Sequence, residues 1–295
     1  MDGWEAWGLA TARSVPRRAR NGPGVERVGR GLYRIGARPE GDLGWWQDAA
    51  IACARHPDAV LHGQAAAAAL ELDGFEPGVP ITVAVPPAAS GRGDVRRLVE
   101  LAPPVTVHGL PVSSAGQTLV DLGAGLTPRP GCAAAVEPLA AVDLVELALE
   151  CALRRGLTDL EVLDALLRRA SRSRPGRSVL TAALRRRPAD APPTESYLET
   201  RVVQQLRSAG LPTFDRQIAL HDADGFIGRV DLFLDPVVIE VVGMRWHLDR
   251  FDADHDRYGR LANAGYHVIP LTFRHIERQP GHVARKVRLA LAQLG

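Results

Sequence analysis

Two consecutive apolar segments, each carrying a single acid, constrain this chain more than any other feature. Residues 225–234 read Gly-Phe-Ile-Gly-Arg-Val-Asp-Leu-Phe-Leu, and residues 237–243 read Val-Val-Ile-Glu-Val-Val-Gly. The turn Asp235-Pro236 joins them, and a shorter run at 218–221 precedes them through the turn Asp222-Ala223-Asp224-Gly225. β-Branched runs broken by Asp-Gly and Asp-Pro predict a three-stranded meander. Within it, Asp231 and Glu240 stand among apolar neighbours. An ionised carboxylate there is costly unless it is paired, and a hard divalent cation is one such partner. Adjacent strands lie about 4.8 Å apart, so acids on one face of neighbouring strands can share an ion. Glu199 lies in the segment 194–210, whose apolar spacing through Val202, Val203 and Leu206 to Gly210 predicts an amphipathic helix with a glycine stop. Glu199, Asp231 and Glu240 together make an oxygen-rich Mg²⁺ set. Glu195, four residues earlier on the same helical face, is an alternative to Glu199. The bland alternative ties Asp231 and Glu240 to Arg229 and Arg245 as structural ion pairs.

Helix Glu199, then Arg229-Val230-Asp231, then Ile239-Glu240-Val241-Val242-Gly243-Met244-Arg245-Trp246-His247, resembles the PD-(D/E)XK nuclease superfamily. Within it, the chain is similar to the domain related to very-short-patch-repair (Vsr) endonucleases. A charged helix over 250–264, the run 265–273 and a closing helix continue the resemblance, which spans the last third of the chain. It implies a restriction-endonuclease-like fold, Mg²⁺ held by Asp231, Glu240 and Glu199, and DNA as substrate. His247 would orient a water or contact a phosphate, with simple packing against Trp246 as the alternative. Val242 departs from the pattern: the branch has Asp there and the wider superfamily Lys. That group normally holds the metal or orients the attacking water. Two functions therefore stand open: metal-dependent phosphodiester hydrolysis in a defence, repair or toxin–antitoxin setting, and a catalytically inactive DNA-binding antitoxin or regulator using the nuclease fold as a scaffold. The acids Asp249, Asp252, Asp254 and Asp256 read as a helix start favoured by the macrodipole, or as a stand-in carboxylate. His255, His267, His275 and His282 have no zinc-like spacing.

Upstream, residues 4–20 predict a short helix, followed over 25–36 by a basic hairpin around Gly29-Arg30-Gly31. Helix and hairpin resemble a truncated winged helix, which would place Arg27, Arg30 and Arg34 on DNA; a solvated basic hairpin is the alternative. Two helices are expected within 45–72, strands at 79–85 and 105–112, and a helix opened by a serine cap at 113–122. The order of Tyr33-Arg34-Ile35, Leu61-His62-Gly63-Gln64, Val112-Ser113-Ser114 and Thr118-Leu119-Val120-Asp121 resembles the AbiE-type antitoxins of type IV toxin–antitoxin systems. That resemblance implies promoter DNA and a nucleotidyltransferase toxin as partners. His62 reads as a helix-capping or core residue. Two more helices are expected over 142–167. The arginines from Arg168 to Arg187, Arg174 and Arg177 among them, read as a phosphate track or a solvated face.

The expected organisation is α/β: residues 1–40 a truncated winged-helix-like segment, 41–187 an α+β antitoxin-like region, and 188–295 a PD-(D/E)XK endonuclease-like domain with a mixed sheet flanked by helices. With 295 residues, 46% hydrophobic and 24% charged, the chain is long enough for a sizeable core. No apolar run reaches the roughly eighteen residues of a membrane span, and the acidic start lacks a signal-peptide core. Cys53, Cys132 and Cys151, odd in number and far apart, fit a cytoplasmic location rather than a disulfide framework or zinc site. Because the net charge is only +2, affinity for nucleic acid has to come from local patches.

Overall fold

The computed structural model describes residues 7–29, 31–56, 58–85, 95–97, 102–124, 126, 129–130, 138–188, 190–242 and 251–294, with the backbone alone at 95–97, 129–130, 138, 251–255 and 294. The protein is α/β, with mixed sheets flanked by helices. In chain order the elements are β1 (Leu9–Thr11), β2 (Val25–Gly29), β3 (Leu32–Ile35), α1 (Gly41–Ala54), β4 (Val60–Leu61), α2 (Gly63–Ala69), β5 (Val83–Val85), β6 (Val95–Arg97), β7 (Val105–Val107), β8 (Leu110–Val112) and α3 (Ala115–Leu122). Then come β9 (Arg129–Pro130), β10 (Pro138–Leu139), α4 (Ala141–Arg154), α5 (Leu160–Arg169), α6 (Arg177–Arg186) and α7 (Tyr197–Ser208). The chain closes with β11 (Asp215–Asp222), β12 (Gly225–Leu234), β13 (Val237–Val242), α8 (Phe251–Asn263), β14 (His267–Thr272), α9 (Phe273–Glu277) and α10 (His282–Leu294).

These elements form two compact units, one of Met1–Leu126 with Arg155–Thr181, the other of Thr127–Arg154 with Ala182–Gly295. The division does not follow the expected boundaries at 40/41 and 187/188, because α4 belongs with the C-terminal strands. Its two inward acids explain why. Glu146, 2% exposed, accepts from both terminal nitrogens of Arg207 on α7, at 2.6 and 2.8 Å. Glu150, 1% exposed, accepts from Arg216 on β11 at 2.9 Å and from the Thr194 N–H at 3.1 Å. Buried charges of this kind persist only where such partners surround them.

In the first unit, β1, β3 and β2 form one small sheet and β6-β5-β4-β8-β7 a second. The helix expected over 4–20 is not formed where residues are described: Leu9–Thr11 pairs with β3, Leu9 is buried, and Arg17–Ala19 makes one 3₁₀ turn. Gly8, at φ +67°, turns the chain into that strand. Ala65 to Ala69 of α2 are all buried, and their small side chains allow α3 to lie close. Ser114 stands at the N-cap of α3 but makes no side-chain cap bond, so the expected serine cap is absent.

The C-terminal unit holds the predicted meander. β11, β12 and β13 pair antiparallel in sequence, and β14 joins parallel to β13. The strands divide their side chains between two layers, by plain alternation along β13 and with a break between Val230 and Leu232 on β12. Leu232, Val237 and Ile239 meet Val202 and Leu206 of α7, Ile276 of α9, and Val283 and Val287 of α10. On the other face Val230 and Val238 meet Leu261 of α8, with Tyr258 beside them. Ser196 starts α7 by accepting from the Glu199 N–H at 3.2 Å, which places the first turn of that helix at one end of the meander.

Candidate active site

The acids meet where β12 and β13 part. Their ladder runs from Leu234↔Val237 to Leu232↔Ile239 and stops there. One residue on, the Asp231 side chain takes the place of main chain: Oδ2 accepts from the Val241 N–H at 2.7 Å. On the opposite side of β12, the rungs Arg216↔Leu232 and Ile218↔Val230 flank Gln217, which stands at φ +57°. A non-glycine residue in that left-handed region costs about 1–2 kcal/mol. The twist sends the Gln217 side chain to both acids: Nε2 donates to Glu199 Oε2 at 3.1 Å, and Gln217 also hydrogen-bonds Asp231. Observed strain of this kind is characteristic of functional sites.

Glu199, only 5% exposed, accepts in addition from the Glu195 N–H at 2.8 Å. Burial is the main force on its carboxyl and the Asp231 charge adds to it, so the pKa is pushed up to about 7 despite the opposing hydrogen bonds. Asp231 is also raised, by burial first, against the Val241 bond, the nearby Arg257 charge and the Gln217 bond. The two carboxyls are therefore desolvated neighbours.

Glu240 has a different environment. It is 7% exposed and lies on the α8 side of β13 with Val238, where Arg257 Nη2 donates to its Oε1 at 2.5 Å and to the Arg229 carbonyl at 2.8 Å. Of the expected set Glu199, Asp231 and Glu240, the fold thus joins the first two closely and gives the third to a guanidinium. Among the described residues no three His, Cys, Asp or Glu side chains form a group able to hold a metal. The residues present fit a two-carboxylate Mg²⁺ site, a number that suffices for an ion that keeps most of its waters. Of the alternative ion pairs, Arg229 instead pairs with Glu195 at the surface, and the one drawn to Arg245 lies outside the described residues. His247, Arg30 and Asp249 lie outside them as well. Val242 is half-buried on β13 opposite Thr272 of β14.

The arginines expected on nucleic acid are mostly committed elsewhere. Arg34 pairs with Glu26 and donates to Gln47 at 3.3 Å. Arg174 forms a two-pronged bond to Asp121 at 2.5 and 2.8 Å. Arg177 donates to the Ala170 carbonyl, at the end of α5, at 2.6 Å. With charge or donors directed inward, these three hold the first unit together rather than gripping phosphate. Arg27 is exposed and donates to the Gly29 carbonyl at 3.3 Å. His62 begins α2, with Nδ1 3.4 Å from Ser113 Oγ and Nε2 3.9 Å from Asp121, so it belongs to the packing of that unit.

Two residues of the site escaped the sequence reading. Gln217 carries no signal for positive φ, since that conformation is ordinarily announced by Gly or Asn. Arg257 sits in a helix dense with charge, where nothing singles it out. Compared with known proteins, the chain matches no family model, no curated protein and no solved structure.

Proposed function

We propose that the C-terminal unit is a PD-(D/E)XK-type, Mg²⁺-dependent DNA phosphodiesterase in which Glu199 and Asp231 hold the ion. The observation that carries this reading is buried Glu199 beside half-buried Asp231, with Glu199 pushed up to about 7: two partly desolvated acids side by side are relieved by a divalent cation. When bound, Mg²⁺ lowers the pKa of a coordinated water and stabilises charge on the phosphoryl oxygens. The chain's own residues do the positioning. The Val241 N–H fixes Asp231 and the strained Gln217 aligns both carboxylates. Arg257 neutralises Glu240 beside them. Val242, where the resemblance has Asp or Lys, neither donates nor accepts a proton.

That Arg257–Glu240 pair favours a second reading, a scaffold that binds DNA without cutting it, in keeping with the antitoxin resemblance of the first unit. A nicking assay with Mg²⁺ and Mn²⁺ on duplex, mismatched and single-stranded DNA separates the two. The first reading expects cleavage that falls at least a hundredfold in Glu199→Gln and in Asp231→Asn, and gains from Val242→Asp. Salt-sensitive binding with no cleavage under any metal supports the second. Cytoplasmic location and a nucleotidyltransferase toxin remain part of the antitoxin proposal, tested by co-purification. Among the described residues, no helix is long and apolar enough to cross a membrane.

A further inference from the structure

The C-terminal unit carries a second feature beside its acids. Residues 273–294 contain Arg274, Arg278, Arg285, Lys286 and Arg288, against one acid, Glu277. Glu277 is buried and taken up by Arg201, whose Nε donates to it at 2.8 Å. All five cations are exposed, and among the described residues none has a carboxylate partner. Their contacts are to rings and a carbonyl rather than to acids. Arg278 lies 5.8 Å over the Phe273 ring, Arg285 approaches His282 Nδ1 at 3.4 Å, and Arg288 donates to the Ala209 carbonyl at 2.7 Å. Elsewhere in this unit Arg186, Arg187, Arg201, Arg207, Arg216, Arg229, Arg257 and Arg260 are all ion-paired.

The patch also registers on its histidines. The rings of His275 and His282 stack with centroids 4.4 Å apart. Both are held below the ordinary imidazole value, by burial first and then by surrounding cations, Lys286 in each case. Strand pairing places this surface near the acids. Val241, whose N–H holds Asp231, pairs with Leu271; Val242 pairs with Thr272; and α9 begins at Phe273. The chain that bears the basic face therefore leaves the sheet at Phe273, two strands from Asp231, roughly 10 Å at ordinary strand spacing.

We propose that α9 and α10 form the surface on which a DNA duplex backbone lies, delivering phosphates to the Glu199–Asp231 site. This rests on the reading of the unit as a DNA-acting domain and names where the substrate is held. Phosphate contacts of this kind position a duplex without reading its sequence, and their number sets the salt dependence of binding, about 0.9 in log–log slope for each contact.

The test is fluorescence anisotropy of a labelled duplex with the full-length chain in EDTA, across a salt series. R278A/R285A/K286A is expected to weaken binding at least tenfold near 0.1 M salt and to flatten the slope by about 2–3. Its thermal melt should match the parent, since the three side chains are exposed, and R278K/R285K should keep the affinity. As a comparison, R168A/R169A/R172A on the first unit should leave the slope unchanged. An unaltered slope in the first variant overturns the proposal, as does a parent that binds phosphatidylserine vesicles and no duplex. Since no cleavage takes place in EDTA, a basic-face effect without nicking would sink the nuclease reading alone, and nicking without the effect would sink only this one.

Discussion

Glu199 links a pKa to both stability and metal affinity. Its carboxyl, ordinarily near 4.5, is held at about 7 in the fold. Between those values the folded chain keeps a proton that the unfolded chain has lost, so stability falls as pH rises through the window. The full effect is on the order of 3 kcal/mol. Glu199→Gln is expected to abolish that slope, read from urea midpoints between pH 4.5 and 7.5; a parent profile already flat there would refute the assignment. The same proton must leave before a cation binds, so Mg²⁺ affinity should climb with pH across about 7. Gln217 acts against the upward shift through its hydrogen bond. Gln217→Ala should therefore raise the Glu199 pKa further, as measured by carboxyl-carbon NMR titration. By contrast Arg229 and Glu195, each about half exposed, form a surface pair, and Arg229→Ala should cost less than about 1 kcal/mol.

At the scale of elements, α4 carries the sharpest energetic consequence. Removing Arg216 takes from buried Glu150 its nearest cation and leaves it Arg187 at 3.4 Å and the Thr194 N–H; losing one partner of a buried pair typically costs up to about 3–5 kcal/mol. Arg216→Ala should lower the urea midpoint accordingly, whereas a shift within measurement error would mean that Glu150 has other adequate partners. This arrangement also marks where sequence reading stopped. The strands were legible because β-branched runs and Asp-Gly and Asp-Pro turns are local signals, and the meander formed in the expected order. α7 was legible from its apolar spacing, while its Ser196 cap was not read from the sequence. Glu146 and Glu150, however, sit on the inward face of α4, and the arginines they answer lie 61 and 66 residues away. No periodicity announces that. At the site, the two strand acids and the helix acid were visible as residue types, but which two would touch depended on where the β12–β13 ladder ended and on one twisted glutamine.

For the molecule as a whole, the path of the chain decides what can be cut out of it. A fragment of residues 188–295, the natural choice from sequence, contains the whole four-stranded sheet but lacks α4. It leaves Arg207 and Arg216 facing no acid from that helix. Such a fragment is expected to show no cooperative thermal transition, and a peptide of residues 138–155 supplied in trans should restore one. A fragment melting like the full-length protein would argue that the division between the units is drawn in the wrong place.

The same path sets an order of events during synthesis. The segment bearing Glu146 and Glu150 leaves the ribosome well before Arg207 and Arg216 exist, at separations of 61 and 66 residues. At a usual 5–20 residues per second, those two carboxylates wait roughly several seconds for Arg207 and Arg216. Until then the cost of stripping water from an unpaired charge opposes early burial of the helix, so a pair of charges that ends in the core is expected to act first as a delay.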